Sequence, residues 1–218
     1  MGGEVVGRGR TADVVGDGPD RVIRTYRDGR DAAPEVRVLR HLHEVGYPVP
    51  RVFDAAGPVM VVERVTGPTL LRYCLGRPWR AAAGARLLRS LLDRLAGVAV
   101  PDGLPEPFGA GGQLLHLDLH PDNVLLGRAG PVVIDWPNAA RGPAAADVAQ
   151  SWLLIVTSDP PVPAPVRPVA GALQRSFADH VLPTADPTRG WIPLVARRRL
   201  GDPNVTETER RRLIRLGN

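Results

Sequence analysis

Short apolar runs broken by glycine, proline and charge open the chain. Glu4–Val6 and Ala12–Val15 read as brief strands around Gly7-Arg8-Gly9-Arg10-Thr11, with Gly16-Asp17-Gly18-Pro19-Asp20 as a turn and Arg21–Tyr26 as a third strand. Over Ala33–Val45 the period changes. Val36, Leu39 and Leu42 or His43 recur at helical spacing, and Gly46, Pro48 and Pro50 then stop the helix. Val52–Phe53 and Val59–Val65 return to strand pattern before Gly67-Pro68 interrupts it.

The remainder is more helical. Leu87, Leu88, Leu91, Leu92 and Leu95 form an apolar stripe that predicts a core helix over Arg80–Val98. Residues 101–113 are rich in proline and glycine and read as a loop. Leu114–Leu117, Val124–Leu126 and Val132–Ile134 are short apolar runs flanking a polar cluster. Asp147–Val156 reads as a helix, and residues 159–168, with five prolines, as a loop or linker. Two or three helices follow, the last opened by a capping box of Thr206 and Glu209. The pattern predicts an α+β protein: a small sheet with one helix, then a mainly helical part. No internal repeat is present.

A chain of 218 residues can bury a sizeable core, as one domain or two small lobes. Hydrophobic content of 44% with 23% charged residues is that of a soluble globular protein. No apolar run approaches the length of a membrane span, and no signal-peptide core follows Met1. Cys74 is the single cysteine, so no internal disulfide forms. These features predict a cytoplasmic protein with no membrane partner. There is no lysine: 28 arginines against 23 acidic residues give the net charge of +5. A Walker-type phosphate loop is thereby excluded, because it requires lysine. The arginines are scattered, aromatics make up 5%, and no zinc-finger or RNA-binding aromatic motif occurs, so no nucleic-acid partner is expected.

The polar cluster is His116-Leu-Asp-Leu-His-Pro-Asp-Asn-Val-Leu-Leu126, followed by Val132-Val-Ile-Asp-Trp136. It sets Asp118, Asn123 and Asp135 at spacings of five and twelve. Any one of Asp118, Asp122 and Asn123 alone would be an ordinary turn former. Together they supply a carboxylate to accept a hydroxyl proton, and an amide oxygen and a second carboxylate to hold Mg²⁺, which prefers a few protein oxygens and leaves the rest to phosphate and water. His116 and His120 have no Cys or Glu arranged around them as zinc ligands and read as hydrogen-bonding supports of the loop.

This segment resembles the catalytic and metal-binding motifs of the aminoglycoside phosphotransferase and choline kinase group of small-molecule kinases. Their usual pattern is His-Gly-Asp-hydrophobic-His-x-x-Asn, then Ile-Asp-Trp; here Leu117 stands in place of the glycine. Val22-Ile23-Arg24, Glu35, Gly46-Tyr47-Pro48-Val49-Pro50, Val61-Val62-Glu63-Arg64 and Asp147-Val148-Ala149 fall in the family's order, and the likeness weakens beyond about residue 157.

The resemblance implies a protein-kinase-like two-lobed fold, with residues 1–65 as the nucleotide-binding lobe and 66–218 as the catalytic and substrate-binding lobe. It implies Asp118 as catalytic base, Asn123 and Asp135 as Mg²⁺ ligands, and Glu35 as the helix carboxylate pairing with the cation on the third strand. Glu63 and Val65 would offer backbone groups to adenine, and Gly7 and Gly9 a shortened glycine-rich loop over the phosphates. Arg24 stands where the family has lysine. Two readings follow: an O-phosphotransferase using ATP, or GTP, and Mg²⁺ on a small hydroxylated molecule, or a nucleotide-binding pseudokinase with a regulatory or scaffolding role. A serine/threonine protein kinase fits less well, since Ile134-Asp135-Trp136 replaces Asp-Phe-Gly and no Ala-Pro-Glu segment follows. A monomer or weak homodimer is expected.

Residues 137–218 hold eleven arginines against seven acidic residues. That excess predicts an acceptor that is not a polycation, although Arg197–Arg199 and Arg210–Arg212 are expected on outward faces. Trp136, Asn138, Arg141 and Trp191 are candidate pocket residues.

Overall fold

The computed structural model describes residues 5–8, 11–109, 111–158, 162–203 and 205–217. Among these, strands β1 (Val5–Arg8), β2 (Ala12–Gly16), β3 (Arg21–Tyr26), β4 (Val52–Ala56) and β5 (Val59–Glu63) form one antiparallel sheet in the order β1-β2-β3-β5-β4. Helix α1 (Ala33–Glu44) lies between β3 and β4 in sequence. Its start is fixed by Pro34 in the first turn and by Asp31, whose carboxylate accepts from the Ala33 N–H at 2.9 Å. Gly46, at φ +75°, turns the chain out of it.

The rest is helical around one small hairpin and a two-stranded ribbon. Helices α2 (Leu70–Leu75), α3 (Ala81–Leu95), α4 (Ala144–Thr157), α5 (Arg167–Val181), α6 (Ile192–Leu200) and α7 (Glu207–Gly217) enclose β6 (Gln113–Leu115) paired with β9 (Ala140–Gly142), and β7 (Val124–Gly127) paired with β8 (Gly130–Val133). The apolar stripe of α3 is buried as its spacing requires, with Leu88, Leu91, Leu92 and Leu95 at 3% exposure or less. One core cluster runs continuously from Val22 and Leu39 through Leu88 and Trp136 to Leu213. The chain is α+β, as the patterning predicts.

Several boundaries differ from the sequence reading. Pairing of β1 with β2 runs on to Arg8↔Asp13 past a bulge at Val6, so Gly7 lies in a strand rather than a loop; Glu4 and Gly9 fall outside the described residues. Helix α2 has no apolar stripe to announce it. It exists because the Thr69 hydroxyl accepts from the Arg72 N–H at 3.2 Å and buries Leu70 and Cys74. Within the proline-rich stretch, Pro168 sits in the first turn of α5 and starts that helix. The capping box before α7 is half formed: the Thr206 hydroxyl accepts from the Glu209 N–H, while the Glu209 carboxylate instead takes the Arg199 Nε–H.

Candidate active site

The loop after β6 is held by one carboxylate. Asp147, in the first turn of α4 and 3% exposed, accepts the His116 N–H at 2.9 Å and the Leu117 N–H at 2.7 Å. Two consecutive amides can converge on one carboxylate because Leu117 adopts φ +60°, the left-handed region that side chains other than glycine seldom enter. The family's glycine suits that φ; Leu117 keeps it while burying its side chain beside Leu115 and Ala140.

His116 locks the next turn. Its Nδ1 accepts the Asp118 N–H at 3.2 Å, so Nε2 carries the ring proton and donates to the Ile134 carbonyl at 3.1 Å. Burial against Trp136, with ring centroids 4.4 Å apart, pushes the imidazole pKa down to about 4, so the ring is neutral near pH 7. Burial also pushes the Asp147 carboxyl up to about 6, opposed by the two amides and reinforced by the charge of Asp118. His120 repeats the device one turn on, its Nδ1 accepting the Asp122 N–H at 3.3 Å.

Asn123 closes the turn through residues 121–123. Its Nδ2 donates to the Asp118 carbonyl at 2.9 Å, and its own carbonyl accepts the Ile134 N–H at 3.0 Å. The amide oxygen Oδ1 therefore points away from the loop backbone, and Asn123 is tied to the residue preceding Asp135. Asp135 has φ +69°. One neutral and one charged oxygen donor suit a hard cation that shares its shell with phosphate. Among the described residues no three His, Cys, Asp or Glu side chains converge as a metal site.

Across from this hairpin, alternation along β3 puts Val22, Arg24 and Tyr26 on the face toward α1. There Arg24 Nη1 donates to Glu35 Oε1 at 2.6 Å, its Nη2 pairs with Asp135, and the Tyr26 hydroxyl donates to Glu35 Oε2. The Trp136 N–H also reaches Glu35 Oε1, at 2.8 Å. The two carboxylates hold the Arg24 pKa above its usual value, against the desolvation that would lower it. Arg24, Glu35 and Asp135 are thus brought together, as are Asp118 and Asn123.

Glu63 and Val65 sit at the end of β5 and just beyond it. The Glu63 N–H donates to the Arg51 carbonyl at 2.9 Å, and Val65 lies against Gly127 of β7. The connection is pressed onto that hairpin: at Gly67, φ +156°, a Cβ would stand 2.0 Å from the Leu126 carbonyl oxygen.

Asp118 opens onto a cavity of about 640 Å³ lined by α2, α4, α5 and α7. The candidate pocket residues do not line it. Trp136 is buried with its indole N–H on the Val133 carbonyl, Trp191 packs edge-on to Phe108, Asn138 is exposed, and Arg141 Nε bonds the Gly111 carbonyl. The arginine runs also depart from expectation. Arg199 is 8% exposed, lines the cavity and binds Glu209 and Asp202, and Arg212 bonds the Thr157 and Ser158 carbonyls. Sequence reasoning assigned no role to Tyr26, Thr69 or Asp147. Of these, only Asp147 carries a signal, a lone acid opening an otherwise apolar helix.

The family model described as "Phosphotransferase enzyme family" matches residues 7–111 and 79–182. No curated protein gives a significant sequence match. By fold the chain is similar to aminoglycoside phosphotransferase APH(4)-Ia, at 16% identity and TM-score 0.63, covering 99% of this chain and 93% of that one. It is also similar to ADP-bound aminoglycoside phosphotransferase APH(2'')-Ib, at 12% identity and TM-score 0.61, covering 97% and 90%. A streptomycin–ATP–APH(2'')-IIa ternary complex matches at 14% identity and TM-score 0.61, covering 89% and 82%. Likeness at such identities establishes the kinase-like two-lobed α+β fold.

Proposed function

The chain belongs to the phosphotransferase enzyme family, and from that premise we propose an ATP- and Mg²⁺-dependent O-phosphotransferase acting on a hydroxyl group of a small molecule, with GTP as the alternative donor. The nucleotide would lie between a lobe of residues 1–65 and a lobe of 66–218, with Gly7 and Gly9 near the phosphates and the backbone of Glu63 and Val65 near the base. The observation that carries the reading is the twice-stapled loop: Asp147 and His116 fix the three consecutive amides of residues 116–118 so that Asp118 faces a cavity while Asn123 and Asp135 are joined through Ile134.

In that arrangement Asp118 orients the acceptor hydroxyl and takes its proton. Asn123 Oδ1 and the Asp135 carboxylate would hold Mg²⁺, which when bound supplies positive charge to the transferring phosphoryl group. Arg24, positioned by Glu35, Tyr26 and the Trp136 amide, steadies the phosphates. The rigid loop limits the motion needed to reach reacting geometry.

A polycationic acceptor is disfavoured, because the Glu209 carboxylate in the cavity is already neutralised by Arg199 at 3.1 Å. The pseudokinase reading draws on one observation, the hold of Arg24 on Asp135, which competes with a cation for the same carboxylate. Slow ATP hydrolysis, with water in the acceptor's place, separates the two. Asp118→Asn should lower it by about 10²–10⁴-fold while nucleotide affinity is kept. Hydrolysis unchanged in that variant would remove Asp118 from the chemistry.

A further inference from the structure

The cavity beside Asp118, at about 640 Å³, is of the size that holds a drug-sized molecule. Part of its wall is apolar, formed by Leu71 and Leu75 from α2, Leu154 and Ile155 from α4, and Leu173 and Phe177 from α5; polar side chains, with the charged Arg72, Asp118, Asp122, Arg199 and Glu209 among them, make up the rest.

Two of its charges, Arg199 and Glu209, are paired within the protein, and a third, Asp122, is held by a neutral hydroxyl. Asp122 Oδ1 accepts the Thr69 hydroxyl at 2.8 Å. Arg199 and Glu209, each 8% exposed, pair with one another, and Arg199 Nη1 also reaches Asp202 at 2.7 Å. A ligand carrying several ammonium groups would be desolvated here against few uncommitted carboxylates, which is costly. A neutral polar group is at hand instead. Gln174 Nε2 donates to the Ile155 carbonyl at 2.7 Å and the Ser158 carbonyl at 3.2 Å, which fixes the amide and leaves Oε1 with no donor among the described residues.

We propose that this cavity is the acceptor site and that it selects an uncharged hydroxylated molecule with an apolar body. One hydroxyl lies at Asp118, a second donates to Gln174 Oε1, and the apolar body packs on the α2, α4 and α5 side chains. The assignment of the cavity to the acceptor rests on the phosphotransferase reading; its selectivity rests on the lining.

Calorimetric titration with n-octyl β-D-glucoside below its micellar concentration, D-glucose and kanamycin tests it. The glucoside should bind saturably, by about tenfold or more tighter than glucose and tighter than kanamycin, with a negative heat-capacity change. Leu71→Asp and Leu75→Asp, both at half-buried positions and each checked for cooperative melting, should weaken the glucoside by about tenfold or more. Kanamycin as the tighter ligand, no glucoside binding, or glucoside binding indifferent to both substitutions would overturn the proposal. Titration of Mg·ATP on the same protein keeps the two readings apart. Mg·ATP binding without glucoside binding sinks the selectivity alone. Glucoside binding without Mg·ATP binding upholds the selectivity and sinks the transfer reading.

Discussion

Arg24 and Asp135, 111 residues apart in sequence, are ion-paired, and the same guanidinium fork holds Glu35 at 2.6 Å. Arginine's planar fork aims a separate nitrogen at each carboxylate, whereas a lysine would have to gather both around one ammonium, so the guanidinium geometry sets the spacing of this triad. The two halves differ in burial: the Glu35 side chain is 2% exposed and the Asp135 side chain 36%. The Glu35 half is buried, whereas the Asp135 half borders solvent and, under the proposed function, would be exchanged for a cation and phosphate.

Removing Arg24 should therefore affect stability and chemistry by different routes. In Arg24→Ala the buried Glu35 keeps only the Tyr26 hydroxyl and the Trp136 N–H, and stability should fall by on the order of 3 kcal/mol. Arg24→Lys should recover most of that loss while releasing Asp135. Urea unfolding and ATP turnover of both variants check this. Arg24→Ala with parental stability and turnover would remove the triad from the mechanism.

At Leu117 two effects oppose one another. Glycine would relieve the φ of +60°, a gain of about 1 kcal/mol. It would also delete a leucine 2% exposed, a loss of about 2–5 kcal/mol. Burial wins, so Leu117→Gly should lower stability by about 1–4 kcal/mol even though it restores the family's residue. A raised urea midpoint in that variant would show that strain dominates.

His116 and Asp147 titrate with opposite consequences for folding. For His116 the folded value of about 4 lies below the ordinary 6.5, so between them the unfolded chain holds the extra proton and stability rises with pH. For Asp147 the folded value of about 6 lies above the ordinary 3.8, so the folded chain holds the extra proton and stability falls as pH rises through that window. Between about pH 4 and 6 the two largely cancel. Asp147→Asn should unmask the rising slope from His116, and His116→Gln the falling slope from Asp147. Unfolding free energies of the three proteins across pH 4–6.5 measure it; identical slopes in parent and variants would contradict it.

Much of this was legible in the chain. Alternation over Arg21–Tyr26, the leucine stripe of α3 and the helix stop at Gly46 reflect local rules that packing did not override. Asp118 and Asn123 are close because a tight loop converts sequence distance into spatial distance, whereas Asn123 is brought beside Ile134 and Asp135 by the pairing of β7 with β8. Apart from the Arg24–Glu35 pair, which the resemblance implies, contacts between remote segments were not legible. No local signal ties Tyr26 to Glu35, or reveals that Arg199, within a run of three arginines, turns inward to Glu209. Helix α2 was missed because its stability comes from a cap and two buried side chains rather than a periodic stripe. The glycine-rich turn was drawn too wide at Gly7 because strand pairing continued through a bulge, which sequence alone does not signal.

The most direct test is nucleotide binding measured by calorimetry, with and without Mg²⁺, on the parent protein and on Asp135→Ala. Should the site be a competent kinase centre, ATP affinity rises by about tenfold or more when Mg²⁺ is added, and that dependence disappears in Asp135→Ala. ATP binding indifferent to both Mg²⁺ and Asp135, or no binding, would contradict the phosphotransferase assignment of these residues.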